Sequence, residues 1–512
     1  MNKVLIIGVI GILLGTTLIP LVDTINIKID STPKSNETIL ISNNGNTLYV
    51  GGTGPNNYTR IQDAIDNASI GDTVFVYDDR SPYYENITIY TSINLIGENK
   101  SSTVIESGES DIVVSIFIGN VSITGFTIRD AYEGIYMNSN NNQVMDTIIS
   151  GCHQGIKIDK SENNLIKENI ITRNGRCGID FWYCSNNTIT NNIMEDNNDD
   201  GIMMWHATYN TIENNVFANN TFGVYMYSFD KKTHNIVAHN SFLNDGLFIH
   251  SCYQNTIISN TINHKPLIFL ENKSSIEITE KAGQILLINC TNITIQHQSF
   301  SNTGASIVLF NTHNSVIQEN MFSQTYGITM LNSHNNTIQQ NNFDHNTESI
   351  SLNYCHNNQI ISNTMNTGYK GIDVFGSDNN VRDNIIINQN KGIFLAGRTN
   401  TIINNTITDS REEGIRIQSS AMNLISQNDL ENNLYGIMLS GKYRGSRFNI
   451  ISNNNIHHNT YGIFIQNAYI NIFITNLFME NDEHILGNHL ELLLLNIWLF
   501  NQWYPKLMGP FD

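Results

Sequence analysis

The chain has 512 residues, of which only 14% are charged, and its 46 acidic against 27 basic side chains give a formal net charge of −19. No Lys/Arg block offsets that acidity, so a phosphate backbone is repelled and nucleic acid is not expected as a partner; the same charge also serves simply to keep a long protein soluble. A low charged fraction, 7 Pro and dense Asn from Asn36 onward disfavour long helices and favour short strands joined by tight turns.

In chain order, residues 1–22 read Met1-Asn2-Lys3 and then an apolar run from Val4 to Val22, expected to be a signal peptide or an N-terminal membrane anchor. No small-x-small cleavage pattern follows, which tilts the reading toward an anchor. A Ser/Thr/Asn-rich linker is expected over 23–47. Thr59-Arg60-Ile61-Gln62 reads as a capping box opening a short N-terminal helix, with Ile61, Ala64, Ile65 and Ala68 on the face that covers the first coil.

From residue 48 to 484 one motif repeats. Gly followed by an apolar residue recurs at Gly134, Gly155, Gly178, Gly201, Gly223 and Gly246, and again from Gly304 through Gly327, Gly371, Gly392, Gly414 and Gly436 to Gly462, with Ser349 in the Gly place. The spacing of about 22 residues, with three alternating strands per coil, predicts an all-β, right-handed parallel β-helix: no coil buries its Ile, Val and Phe alone, but stacked coils do. Two Asn series at fixed offsets, one through Asn169, Asn192 and Asn215 and one through Asn164, Asn187, Asn210 and later Asn380, are expected to form hydrogen-bonded ladders at the bends. Cys184, Cys252 and Cys355 share one slot with Ser161 and Ser333, so they read as small core residues rather than disulfide partners. The repeat fades after Asn476, and 485–512 is expected to be a C-terminal cap.

The opening residues carry a resemblance. Gly51-Gly52-Thr53-Gly54, Tyr58 to Ile65, Gly71-Asp72-Thr73-Val74-Phe75-Val76, Tyr84-Glu85-Asn86-Ile87 and Ile93 to Gly97 resemble the start of NosD-like and pectin-lyase-like β-helix proteins, which share the carbohydrate-binding and sugar-hydrolase repeat. The likeness extends to about residue 480 and includes a departure from the repeat at Pro266 to Gln284. It implies the fold and an extracytoplasmic location, secreted or anchored at the outer face of the membrane; the family includes lyases, hydrolases, epimerases, surface binding proteins and a copper-enzyme maturation factor.

After each coil glycine, positions two and four face outward. They form an aromatic row, Tyr136, Trp182, Trp205, Tyr225, Tyr227 and Phe248, with His250, that resembles a sugar-stacking platform; the alternative is that the segment near Pro266 covers it. Asp159, Asp180, Asp199 and Asp200 beside Lys157 are the candidate catalytic group, as an acid–base pair or a calcium-bridging cluster, although an acidic protein carries such carboxylates by default. His313, His334 and His356 each lie seven residues before a ladder Asn, so they stack on consecutive coils and are either copper or zinc ligands or a solvated turn ladder. The leading expectation is a β-helix that binds a polysaccharide or glycoconjugate, with lyase, hydrolase or epimerase activity if the carboxylates act. A copper-handling accessory protein and a purely structural surface protein are the alternatives.

Overall fold

The computed structural model describes residues 45–441, 445–487 and 496–504. The expected leader and most of the linker lie outside them, and no helix among the described residues is long and apolar enough to cross a membrane.

The coil through Gly155 shows how the repeat becomes structure. Its strands Gln154–Asp159, Leu165–Lys167 and Ile170–Thr172 pair in parallel with Ile179–Trp182, Thr188–Thr190 and Ile193–Glu195 of the next coil, in the registers Ile156↔Ile179, Ile166↔Ile189 and Ile171↔Met194. Alternation sends Ile156, Ile158, Ile166 and Ile171 inward, where all are fully buried. Repeated along the chain, this gives a right-handed parallel β-helix whose core is a set of vertical apolar stacks. All six cysteines are buried and unpaired within it.

The bends explain the Asn content. Asn169 Nδ2 donates to Asn192 Oδ1 (3.0 Å), Asn192 to Asn215 (3.0 Å), Asn215 to Asn240 (3.1 Å) and Asn240 to Asn260 (3.0 Å). Each rung oxygen also takes a backbone N–H from the coil before, as Asn192 Oδ1 does from Asn169 N (2.9 Å), so buried polar groups are satisfied coil by coil. The second ladder runs Asn164, Asn187, Asn210, Asn235. The residue before a rung is left-handed: Glu168, Asn191 and Asn214 have φ of 60°, 57° and 56°. That conformation favours Asn, Asp and His among non-glycines and supplies a second use for Asn at each bend.

Three details of the ladders differ from the sequence expectation. Asn379, not Asn380, is the rung: it receives the Asn358 side chain (3.0 Å), because the coil from Gly371 is one residue shorter than the one before. Asn235 and Asn240 escape the fixed offsets because extra residues sit between Tyr227 and Lys231, where the register shifts. A third ladder, Asn174, Asn197, Asn220, ends on the carboxylate of Asp245.

The N-terminal helix spans Ile61–Asp66 and buries Ile61, Ala64 and Ile65. The expected capping box does not form: Arg60 is the N-cap and makes no side-chain cap bond. The carboxylate of Glu85, from the following coil, takes the free N–H groups of Ile61 (2.8 Å) and Gln62 (3.0 Å) instead. At the other end, parallel stacking continues past residue 484. Ile497–Leu499 pairs with Ile472–Ile474 and Gln502–Tyr504 with Leu477–Met479, and Asn496 and Asn501 add rungs to the two ladders.

The expected departure at Pro266 to Gln284 divides the solenoid into two stacks. One sheet ends at Thr256–Ile258, and a separate eleven-stranded sheet begins at Ser274–Ile278. Between them Lys265–Glu271 folds back antiparallel on Thr261–Ile262, then pairs in parallel with Gln284–Ile288. The exposed end of the first stack is thereby covered: Gln284, fully buried, bonds both Leu247 N (3.0 Å) and Leu247 O (2.8 Å), imitating a strand partner. Leu286, Ile288, Val308 and Phe310, outward on the second stack, join the first stack's core.

Candidate functional site

On the first stack the glycine-led strands present two outward columns. Register pairing aligns Tyr136, Lys157, Asp180, Met203, Tyr225 and Phe248 in one, and Asp159, Trp182, Trp205, Tyr227 and His250 in the other. Trp182 and Trp205 stack with centroids 5.4 Å apart and planes 5° apart, and Trp205 stacks on Tyr227 at 4.4 Å. Tyr225 and Phe248 stack at 5.4 Å and 7°. A further row, unnoticed in the sequence, stands at the turn: Tyr183, His206 and Phe229, each 4.8 Å from the next. Burial and Lys231 hold the His206 imidazole below its ordinary pKa. Tyr136 stands apart, packed edge-on against Phe117.

The segment near Pro266 does not seal this face; Trp182 remains 38% exposed. The junction between the stacks instead creates a cleft of about 520 Å³. Tyr225, Tyr227, Phe248 and His250 line one wall, and Tyr326, Glu348 and Tyr354 of the second stack line the other. Phe222 and Tyr326 meet across it at 6.0 Å. The outward residues of the second-stack wall, Thr329, Leu331, Ser351 and Asn353, carry no aromatic ring that would mark it in the sequence. The available signal was an aromatic immediately before a coil glycine, as in Phe222-Gly223 and Tyr326-Gly327. Among its polar groups, Tyr225 Oη and His250 Nδ1 lie 3.3 Å apart, and Glu348 is neutralised by Lys370 (2.5 Å), which also binds Asp373 (3.0 Å).

Upstream of the cleft the structure gathers the candidate carboxylates and two cations. Asp180, 4% exposed, receives Gln154 Nε2 (2.8 Å) and lies 3.6 Å from Arg176. Burial raises its pKa against the pull of Arg176 and Lys157. Arg176 also reaches Asp199 (3.9 Å), and Lys157 pairs with Glu133 (3.2 Å). Asp159 accepts weakly from Tyr136 Oη (3.5 Å). Asp200, one coil on, has its carboxyl pushed up to about 7 by burial and by Asp199. Burial also lifts the Tyr225 phenol to about 12, keeping it a neutral donor. The group therefore offers a carboxyl that exchanges its proton near neutrality, with Asp199 and Arg176 in its electrostatic surroundings.

The family model described as "Periplasmic copper-binding protein (NosD)" matches this sequence over residues 65–265, 253–381 and 366–499. The chain belongs to the NosD family. Over 159 residues it is 32% identical to a cell surface glycoprotein of Methanothermus fervidus, an alignment covering 24% of this chain and 26% of that relative, so the shared part is about a quarter of each. Among solved structures, an alginate lyase from Paenibacillus sp. aligns over 57% of this chain and 97% of its own at 13% identity and a TM-score of 0.33. The periplasmic alginate epimerase AlgG aligns over 76% and 78% at 13% identity and a TM-score of 0.35.

Copper in the NosD description sharpens the question of His313, His334 and His356. Their rings do stack on consecutive coils, at 5.1 and 5.0 Å. Their Nδ1 atoms, however, accept the backbone N–H groups of His334 (3.0 Å), His356 (3.0 Å) and Ser377 (3.1 Å). A neutral ring accepting at Nδ1 carries its proton on Nε2, and stacked rings do not converge on one point. These histidines serve the turn of this NosD-family solenoid.

Proposed function

We propose that this NosD-family chain is an extracytoplasmic surface β-helix that binds a polysaccharide or glycoconjugate along the aromatic columns of the first stack and into the cleft. The observation that carries the reading is the continuous ring surface from Trp182 through Trp205 to Tyr227, which runs to the cleft wall at Tyr227 and His250. Because these rings stack face to face, the column offers ring edges with polar neighbours to the C–H and hydroxyl groups of sugar residues, and a site spanning several coils suits a polymer. The family description and the surface glycoprotein relative agree with a location outside the cytoplasm. A glycan-array screen with the wild type and the Trp182→Ala/Trp205→Ala variant tests it. Binding of at least one glycan by the wild type, weakened tenfold or more in the variant, is expected; equal binding by both refutes the platform.

A second reading, processing of the bound polymer, is favoured by Asp200, whose carboxyl is held near neutrality next to Asp199 and Tyr225. It requires that a glycan captured by the wild type be shortened or altered on incubation, and that Asp200→Asn stop this without abolishing capture.

A further inference from the structure

A second cluster lies on the second stack, and none of its residues lines the cleft. Asp429 and Glu431 stand on the strand Asp429–Glu431, and Asn455–His457 stacks on it with Glu431 and His457 in register. His458 follows with a φ of 54°, and its ring lies 5.2 Å from that of His457, nearly perpendicular to it. One ligand atom from each of Glu431, His457 and His458 falls within 4.8 Å of the others.

The hydrogen bonding decides which atoms are free to ligate. A carboxylate only accepts, so the 3.0 Å contact of His457 Nε2 with Asp429 Oδ1 is donated by Nε2–H, and Asn455 Nδ2 holds the same oxygen at 2.8 Å. Donation from Nε2 leaves Nδ1 as the nitrogen that can ligate a metal ion. Nδ1 lies 3.9 Å from Glu431 Oε1, so the two ligand atoms face one another. Ligand atoms about 2.0–2.1 Å from a tetrahedral ion stand about 3.3 Å apart, so the Glu431–His457 pair needs a closure of roughly half an ångström and the cluster as a whole, which lies within 4.8 Å, one of at most about 1.5 Å. The half-exposed Glu431 and His458 side chains can supply it.

We propose that Glu431, His457 and His458 bind a divalent transition cation, zinc or copper(II), with Asp429 orienting His457 from behind. Two imidazoles and a carboxylate favour these ions over calcium, which takes an all-oxygen shell. A carboxylate behind a ligating imidazole is the usual outer partner in such sites. The inference is independent of the polysaccharide reading.

The test is isothermal titration of the full chain with zinc and with copper(II), alongside thermal melts and the visible spectrum of a cobalt(II)-loaded sample. One ion per chain, a raised melting temperature and a cobalt spectrum of tetrahedral intensity are expected. His457→Ala/His458→Ala should lose affinity about 100-fold, and Asp429→Ala about 10- to 100-fold. A triple alanine variant of His313, His334 and His356 should bind as the wild type does. If the double variant folds poorly, Glu431→Gln carries the test, with weakened binding on an unchanged circular dichroism spectrum. Failure of the wild type to bind either ion, or undiminished binding by the double or Glu431→Gln variant, overturns the proposal; in the first case His457 is simply an ion-pair partner of its carboxylates. Glycan binding should survive in the double variant, which separates failure here from failure of the polysaccharide site.

Discussion

Asp245 occupies the last rung of a ladder whose other members, Asn174, Asn197 and Asn220, are amides. It is fully buried, and burial raises its carboxyl to about 7 against the hydrogen bonds from Asn220. A folded value above the roughly 3.9 of free Asp means that the native state holds the proton more tightly. Its stabilising contribution is complete below about pH 4 and is lost as pH rises through 7. Asp245→Asn should therefore flatten the alkaline side of the stability profile, gaining on the order of a few kcal/mol by pH 8 and little at pH 4, as read from melts across that range. His334 has the opposite sign. Burial and the flanking His313 and His356 depress its pKa, so stability is present above about 6.5 and is lost as pH falls below it, when Nδ1 can no longer accept the His356 N–H. His334→Asn, which keeps an acceptor but no titratable ring, should blunt that acid loss; an unchanged acid limb would remove the ladder from the account.

At the scale of strands and bends, Asn192 makes the case for the ladder. It links Asn169, Asn215 and the Ile166 carbonyl, so Asn192→Leu should orphan several buried groups at about 1–3 kcal/mol each and lower the melting temperature far more than a surface Asn change. An extra residue inserted after Ile179 should reverse the inward and outward sets of that strand and cost the neighbouring coils their β circular dichroism. Much at this scale was legible in the sequence, because a coil repeats the same short-range code: Gly155, the Ile alternation and the two Asn offsets all recur at fixed steps. What failed depended on partners distant in sequence or on changes of step. Glu85 replaces the Thr59 capping box from the next coil, Asn379 replaces Asn380 where a coil shortens, and Asn240 hides behind an insertion.

At the scale of the whole described structure, the division into two stacks is what turns an outward face into a cleft. The sequence shows the interruption at Pro266 but not which surfaces then meet, since Phe222 and Tyr326 lie about a hundred residues apart and their shared place before a coil glycine does not say that the two coils face each other. Their meeting depends on Gly304, where an added Cβ would fall 2.6 Å from the Thr221 carbonyl oxygen and 2.7 Å from the Phe222 ring. Gly304→Val should force the walls apart, lowering the melting temperature and weakening any ligand held between them, while coils far from the junction keep their β signal.

The reading of the first-stack aromatics and the cleft as one polymer site is tested most directly by the affinity of a recognised glycan as a function of chain length, measured by titration calorimetry on the wild type and on Trp205→Ala/Tyr225→Ala. The account predicts affinity that climbs with each added sugar until the Trp182 to Tyr227 column and the cleft are both filled, and a variant that loses this climb. Affinity independent of length, or a variant that binds long and short chains as the wild type does, would contradict it.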